Sequence, residues 1–431
     1  MHKIASILAL AGALSACAVY HAAPLPEAPK LTLQPPQAIM DLSSVGRYAI
    51  AHSPDLEVAR RRAEVGVAQA YQGGLLPDPQ FSASVDHPTI HAPSLANGYA
   101  LGLAEDLQAL LTEPSRAEGA EALQKQARLE LLWAEWQTLQ QTTSLYAHKI
   151  YADDKLAALE RTAKALQEQA QHSTHALQRH DTSIDVAGAD LSAALDIASQ
   201  RDSASRAAVA TDANLKALLG LAPTAPLKLA DPGAPPPISR AEVEEALKRV
   251  RQTRPDLLAL QAGYHAQDEA VRTAILQQFP AINLGFSRAS DTSNIQSNGL
   301  AVTINIPIFG STQARIRVER ATRDQLRAEY QARLDQTTAD AWRIWQSLAL
   351  LRKNVERLAK SIPALQEMAA TSQRAYSAGN LPPATYTLIE TSLSARQGEL
   401  FDLRAALWDD TIALRTLLAM TPLVPGISGI Q

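Results

Sequence analysis

The sequence predicts a mainly α-helical protein with a small β-sheet that crosses a membrane. Three observations favour this fold class: the chain contains two copies of one unit, each copy has two short strands with alternating side chains, and each copy has one very long helix. The composition agrees, because only 5% of the 431 residues are aromatic and alanine is abundant, as long helices prefer. The net charge of −4 argues against nucleic acid as a partner, since nucleic-acid-binding proteins normally carry a basic stripe.

The first residues resemble a bacterial lipoprotein signal. Lys3 supplies a positive charge, 4–14 is an apolar stretch too short to span a bilayer as a helix, and small residues precede Cys17. We therefore expect a signal peptide at 1–16 and a lipidated, Pro-rich linker at 17–41, with the acyl chains on Cys17. The residue after Cys17 is not Asp, which in such lipoproteins resembles sorting to the outer membrane. An ordinary cleavage site beside an incidental cysteine is the alternative.

The duplication is visible in matching segments about 200 residues apart. Pro54-Asp55-Leu56 returns as Pro255-Asp256-Leu257, and LKALLGLAP at 215–223 returns as LRTLLAMTP at 414–422. A period of this length indicates a duplicated half-domain and not a solenoid of short repeats. The predicted division is a first repeat at 42–223, a Pro-rich linker at 224–240, a second repeat at 241–422 and a C-terminal tail at 423–431.

Each copy contains two strands whose side chains alternate between apolar and small or polar. We place them at about 79–86 and 97–107 in the first copy and 280–291 and 298–308 in the second. Strands of 9–11 residues with one apolar face are typical of membrane β-barrels, although a sheet on a soluble core is the alternative. The predicted lipid-facing side chains are Phe81, Val85, Leu101, Leu284, Phe286, Val302 and Ile304. Four strands cannot close a barrel, so the membrane interpretation requires at least two chains, or three if the barrel has twelve strands.

A very long helix follows the strands of each copy. In the first copy we expect Thr112 to cap it, Pro114 to lie in its first turn and His180 to mark its end, which gives a length of roughly 100 Å. Apolar residues at heptad spacing, such as Trp136, Leu139, Thr143 and Tyr146, predict packing against neighbouring helices. In the second copy Pro363 is expected to kink the helix. The turns at the far ends are predicted at 178–186 and 377–386.

Taken together, the duplicated unit, the two strands per copy, the PDL motifs, the long helix pairs and the "AGN" turn resemble the TolC-type outer-membrane efflux family. The motifs "LLPDPQ" and "YSAGNLPP" look more like its heavy-metal, CzcC-like branch than its drug branch. The resemblance implies a homotrimer with a shared twelve-stranded barrel in outer-membrane lipid and a coiled-coil-like helical tunnel through the periplasm. It also implies two partners, a periplasmic adaptor protein and an inner-membrane pump of the RND type.

The resemblance assigns the adaptor-docking tip of the tunnel to two groups of residues. They are His180, Asp181, Thr182 and Ser183 in the first copy and Gly379, Asn380, Leu381 and Pro382 in the second. Members of the family often have a glycine at each tip turn and carboxylates around the tunnel mouth. Here His180 occupies the first glycine position and the second tip is neutral, so the nearest candidate entrance acids are Asp185 and Glu390.

We find no motif for catalysis, no cofactor and no metal site in the sequence. His87 and His91 in one loop, and His172, His175 and His180 near one helix end, lack the carboxylate- or Cys-rich surroundings of a metal site. The predicted function is therefore a passive export channel and not an enzyme. Two alternatives remain, the outer-membrane duct of a type I protein secretion system and a lipid-anchored periplasmic coiled-coil scaffold.

Overall fold

A computed structural model of the protein describes residues 20–421 and 423, apart from 30, 32, 36, 37, 91, 93 and 307–309. The predicted signal peptide and Cys17 lie outside the described residues, as do His91 and the end of the last predicted strand. None of the described helices combines the length and the apolar character needed to cross a membrane.

The two repeats fold into the same succession of elements. The first contains α1 (Leu42–His52), α2 (Pro54–Gly74), β1 (Gln80–Asp86), β2 (Gly98–Asp106), α3 (Leu107–Gln178) and α4 (Ile184–Leu218). The second contains α5 (Arg240–Thr253), α6 (Pro255–Leu276), β3 (Ala281–Ser290), β4 (Gln296–Asn305), α7 (Ser311–Ser377) and α8 (Pro383–Leu417). Both PDL motifs open a helix, because Pro54 and Pro255 take the first helical position, where no backbone N–H is needed.

The four strands form one antiparallel sheet in the order β1-β2-β3-β4. Phe81 pairs with Leu103, Leu103 with Phe286, and Phe286 with Leu300, so apolar side chains align across all four strands. We call the side that contains them the apolar face. Its apolar residues are Phe81, Ala83, Val85, Tyr99, Leu101, Leu103, Ile282, Leu284, Phe286, Leu300, Val302 and Ile304. The opposite, small-residue face includes Ser82, Ser84, Ala100, Gly102, Asn283, Gly285, Ser287, Ala301 and Thr303.

The strand bounds differ most from the prediction in the second hairpin, where β4 begins at Gln296. The reason lies in the turn, because the Asp291 side chain accepts hydrogen bonds from the backbone N–H groups of Ser293 (2.8 Å) and Ile295 (2.9 Å). This tight turn brings Gln296 opposite Ser290 and extends the pairing toward the loop. Within the described strands, the outer edges of β1 and β4 pair with no other strand.

The first long helix begins earlier than predicted. Asp106 caps α3 by accepting hydrogen bonds from the N–H groups of Gln108 (2.9 Å) and Ala109 (3.4 Å). The predicted cap at Thr112 is therefore wrong, and its hydroxyl instead donates to the Gln108 carbonyl at 3.0 Å inside the helix. Pro114 likewise lies inside α3 and not at its start. In the second repeat α7 continues through Pro363 without a break.

The heptad residues Trp136, Leu139, Thr143 and Tyr146 are all buried, as the predicted packing requires. Tyr146 packs in a cluster of the first repeat, and Ala341, Ile344 and Leu348 pack in a cluster of the second. A third cluster joins the repeats, with Tyr151 of α3 against Trp408 of α8. The Tyr151 hydroxyl and Trp408 Nε1 both donate to the carbonyl of Gly233, at 3.0 Å and 3.1 Å, and so fasten the inter-repeat linker onto the helices.

Candidate functional site at the helical tip

The two hairpin turns at the far end of the long helices have the same geometry. His180 and Gly379 both take positive φ angles, 65° and 76°. The next residues, Asp181 and Asn380, donate backbone hydrogen bonds of 2.8 Å and 2.9 Å to carbonyls five residues back, as in a Schellman cap. The structure thereby confirms that the two predicted turns occupy equivalent positions of the repeat, with histidine in the first and glycine in the second.

Replacing His180 with glycine is expected to stabilise the tip. A side chain in the left-handed region costs about 1–2 kcal/mol, which glycine avoids, so His180→Gly should raise the free energy of unfolding by about 1 kcal/mol. The shift of the urea midpoint of the detergent-solubilised full chain measures this change. Gly379→His is the matched control and should shift the midpoint in the opposite direction. Shifts of the same sign in both variants would contradict the prediction.

The predicted tip residues are mostly at the surface. Thr182 and Leu381 are half-buried, whereas the other six are exposed: His180, Asp181, Ser183, Gly379, Asn380 and Pro382. The Arg179 guanidinium pairs with Asp181 at 2.9 Å, so the acid of the first turn is neutralised locally. Ile184, at the start of α4, is 78% exposed and adds an apolar side chain to this surface.

The two candidate entrance acids occupy different environments. Asp185 is exposed in the first turn of α4, and a hydrogen bond with Ser183 lowers the pKa of its carboxyl group. Glu390 is half-buried on α8, and burial raises the pKa of its carboxyl group. Nearby, Tyr376 and Tyr386 stack with ring centroids 4.8 Å apart, and burial raises the pKa of Tyr386 to about 12. The structure therefore places Glu390, but not Asp185, within the packed part of the tip.

A third acid, Asp190, was not predicted from the sequence and is the most enclosed of the tip carboxylates. Asp190 is 2% exposed and lies on α4. Its Oδ2 accepts hydrogen bonds from Gln169 Nε2 at 2.8 Å and from the Ser173 hydroxyl, both on α3, and its Oδ1 accepts one from Thr387 on α8 at 3.1 Å. Asp190 therefore joins the first helical hairpin to the second just beneath the turns.

The sequence carried little signal for this role of Asp190. The segment "VAGADLSAAL" is an ordinary alanine-rich helix, and the three donors lie 17 to 197 residues away along the chain. Among the described residues, no group of three His, Cys, Asp or Glu side chains is placed to hold a metal ion.

The predicted lipid-facing residues all lie together on the apolar face. Phe81, Val85, Leu101, Leu284, Phe286, Val302 and Ile304 are each exposed in the single chain. Their common side follows from the strand register and confirms the predicted alternation. Contact of this face with lipid stays a prediction.

A family model described as "Outer membrane efflux protein" matches residues 246–420, which is almost the whole second repeat. No curated protein matches the chain by sequence.

Several solved structures have the same fold over most of the chain. The match to the outer-membrane channel OprN has a TM-score of 0.73 at 17% sequence identity, and it covers 88% of this chain and 89% of the OprN chain. The outer-membrane protein VceC from Vibrio cholerae has a TM-score of 0.70 at 15% identity, covering 88% and 96%. The Campylobacter jejuni CmeC outer-membrane channel has a TM-score of 0.71 at 15% identity, covering 93% and 94%.

Proposed function

We propose that the protein is a TolC-type outer membrane efflux protein and the outer-membrane duct of a tripartite efflux system, because its second repeat matches the family model and the channel OprN shares its fold over 88% of the chain. In this proposal a passive homotrimer carries small molecules or metal ions from an RND-type inner-membrane pump and a periplasmic adaptor to the cell exterior. The supporting observation is that one chain combines an amphipathic four-stranded sheet with helices of 72 and 67 residues, the longer of which follows β2 directly.

The sheet supports an oligomer, and the resemblance to the family implies that this oligomer is a trimer. The outer edges of β1 and β4 are unpaired in the described chain, and an unpaired edge in lipid would leave backbone N–H and C=O groups without partners. Pairing β4 of one copy with β1 of the next satisfies both edges. Two copies supply eight strands and three supply twelve, and both numbers are within the range of outer-membrane barrels, whereas four strands fall below its minimum of about eight.

The long helices are long enough to extend from the membrane into the periplasm. At a rise of 1.5 Å per residue, the 72 residues of α3 extend about 110 Å from the sheet, much farther than a compact domain of this size requires. The exposed turns containing His180 and Gly379 are then the surface that docks the adaptor. Asp181 is paired with Arg179 and the second turn is uncharged, so Asp185 is the exposed one of the two candidate entrance acids, and we propose that the choice of cargo lies with the pump.

The partner pump is the test of this proposal. Crosslinking in intact cells, followed by capture of the full-length protein and mass spectrometry, should identify an RND-type pump and its adaptor. A metal pump would assign the protein to metal efflux, and a drug pump would assign it to drug efflux. An ATP-driven secretion pump would replace the proposal with the type I secretion duct, and recovery of envelope lipoproteins alone would favour the periplasmic scaffold.

The lipid anchor, which lies outside the described residues, gives a second test. Cys17→Ser removes the proposed acylation site, yet the trimer should stay in the outer-membrane fraction, because a twelve-stranded barrel holds far more strongly than acyl chains do. Membrane fractionation and labelling with a palmitate analogue measure the two effects separately. We expect loss of label with an unchanged membrane fraction. Release of the variant into the soluble fraction would contradict the barrel and favour the scaffold.

A further inference from the structure

The apolar face contains two charged residues among the described strands, Arg288 and Glu105. Arg288 is exposed and lies opposite Leu101 of β2 and Asn298 of β4, so neither direct neighbour is acidic. Glu105 lies opposite Leu284 of β3. Leu284 and Arg288 are four residues apart on that strand, which is about 13 Å. The Arg288 guanidinium and the Glu105 carboxylate are therefore too far apart to form a direct ion pair.

The direction of β3 determines the height of Arg288 in the membrane. This strand starts at Ala281, next to the helices, and ends at Ser290, next to the loop. Arg288 lies six residues beyond Ile282, which is about 20 Å along the strand and about 15 Å along the barrel axis at the usual tilt of roughly 35–45°, and the apolar band of a membrane barrel is about 25 Å tall. Beyond Arg288 the same face continues with the polar Ser290 and Gln296. On β3 and β4 Arg288 thus lies in the last row before the face turns polar, whereas on β1 and β2 Val85 and Tyr99 lie one row farther from the helices.

The residues around Arg288 are suited to a lipid headgroup. Tyr99, on the same face, lies opposite Ser290 and one step farther from the helices, where aromatic rings line the edge of a bilayer. The Asn298 side-chain amide is directly across the strand pair from Arg288 and offers a second donor. An arginine beside an apolar band is costly unless its guanidinium reaches a polar partner, and its planar donors match phosphate oxygens.

We propose that Arg288, with Asn298 and Tyr99 beside it, binds the phosphate of an anionic lipid in the outer leaflet. The inference rests on the proposed function, because it requires the sheet to lie in the outer membrane with its loops outward. The trimer then carries three such sites around the outer rim of the barrel. Each holds the headgroup by charge-assisted hydrogen bonds while the acyl chains lie against Phe286 and Leu300.

Native mass spectrometry of the purified full-length trimer tests this site. The probes are lipid A, the same lipid after removal of its phosphates, and inorganic phosphate. Wild-type trimers should retain up to three lipid A molecules, and Arg288→Gln should lower retention about tenfold, as expected for loss of charge-assisted hydrogen bonds. Arg288→Lys should retain part of the lipid A, because lysine keeps the positive charge but lacks the planar, paired donors of the guanidinium group. Arg327→Gln, which removes an exposed arginine from α7, is the matched control and should change nothing.

Two measurements separate failure of this inference from failure of the proposed function. Heat-resistant trimers of Arg288→Gln in the outer-membrane fraction establish that the barrel is intact. With the barrel intact, equal lipid A retention by wild type and Arg288→Gln overturns the site, as does equal retention of the dephosphorylated lipid. Displacement of lipid A by millimolar inorganic phosphate would also overturn it in favour of a free-phosphate site. Absence of the wild-type protein from the outer membrane would instead refute the proposed function.

Discussion

Phe286→Arg is expected to destabilise the assembled barrel by about 1–3 kcal/mol, because the cost of an arginine is about 2–4 kcal/mol at the bilayer midplane and falls toward the interface. Phe286 pairs with Leu103 on one side and Leu300 on the other, so no acid lies directly opposite the new guanidinium, and the nearest one on its face is Glu105, which is diagonal to it. Leu284→Arg, although also on the apolar face, is a weaker probe because Glu105 lies directly opposite and would pair with the new charge. The temperature at which the trimer dissociates on a gel, and the assembled fraction in the outer membrane, measure the effect.

The control for this prediction lies on the other face of the same strand. Asn283→Arg adds the same side chain to the small-residue face, opposite Asp106 and Thr303. If this face lines a water-filled lumen, the arginine stays hydrated and assembly should change by less than about 0.5 kcal/mol. Equal losses in Phe286→Arg and Asn283→Arg would show that the two faces do not differ in solvent, and the assignment of the apolar face to lipid would fail.

The sheet illustrates what the sequence was able to predict. Alternation with a period of two reports on a local property, the face to which each side chain points, and Phe81, Leu284 and Val302 therefore fell on the predicted face. The two tip turns were predictable because the duplication places them at matching positions of the two repeats, so that each turn indicates where the other lies. Gly379 satisfies the left-handed position without strain, and its match to His180 located the same turn in a copy that has no glycine there.

The start of the first long helix could not be predicted with the same certainty. Asp106 and Thr112 are both good capping residues, and Pro114 is compatible with a first turn after Thr112. The choice of Asp106 depends on where β2 ends, and that is fixed by pairing of Asp106 with Asn283, 177 positions away. Asp106 and Thr112 have similar local capping preferences, and the tertiary contact between β2 and β3 determines that Asp106 is the N-cap.

Asp190 was missed because its role depends entirely on such distant contacts, and its replacement has a large expected effect. Asp190→Ala removes the acceptor shared by Gln169, Ser173 and Thr387 and leaves these donors unsatisfied in a buried site. Hydrogen bonds to a charged group contribute about 1.5–3 kcal/mol, so loss of this junction should free the first hairpin from the second at the tip. We expect the single-channel conductance of reconstituted trimers to rise severalfold.

Two further variants identify the contact that matters in this prediction. Asp185→Ala removes an exposed acid from the same helix, whose hydrogen bonds stay within its own turn, and should leave the conductance unchanged. Asp190→Asn keeps an acceptor for Thr387 but presents an amide to Gln169 and Ser173, and should give an intermediate conductance. A conductance that is the same in Asp190→Ala and wild type would show that the buried junction does not set the width of the tip. An equal rise in Asp185→Ala would attribute the change to charge at the entrance and not to the junction between the hairpins.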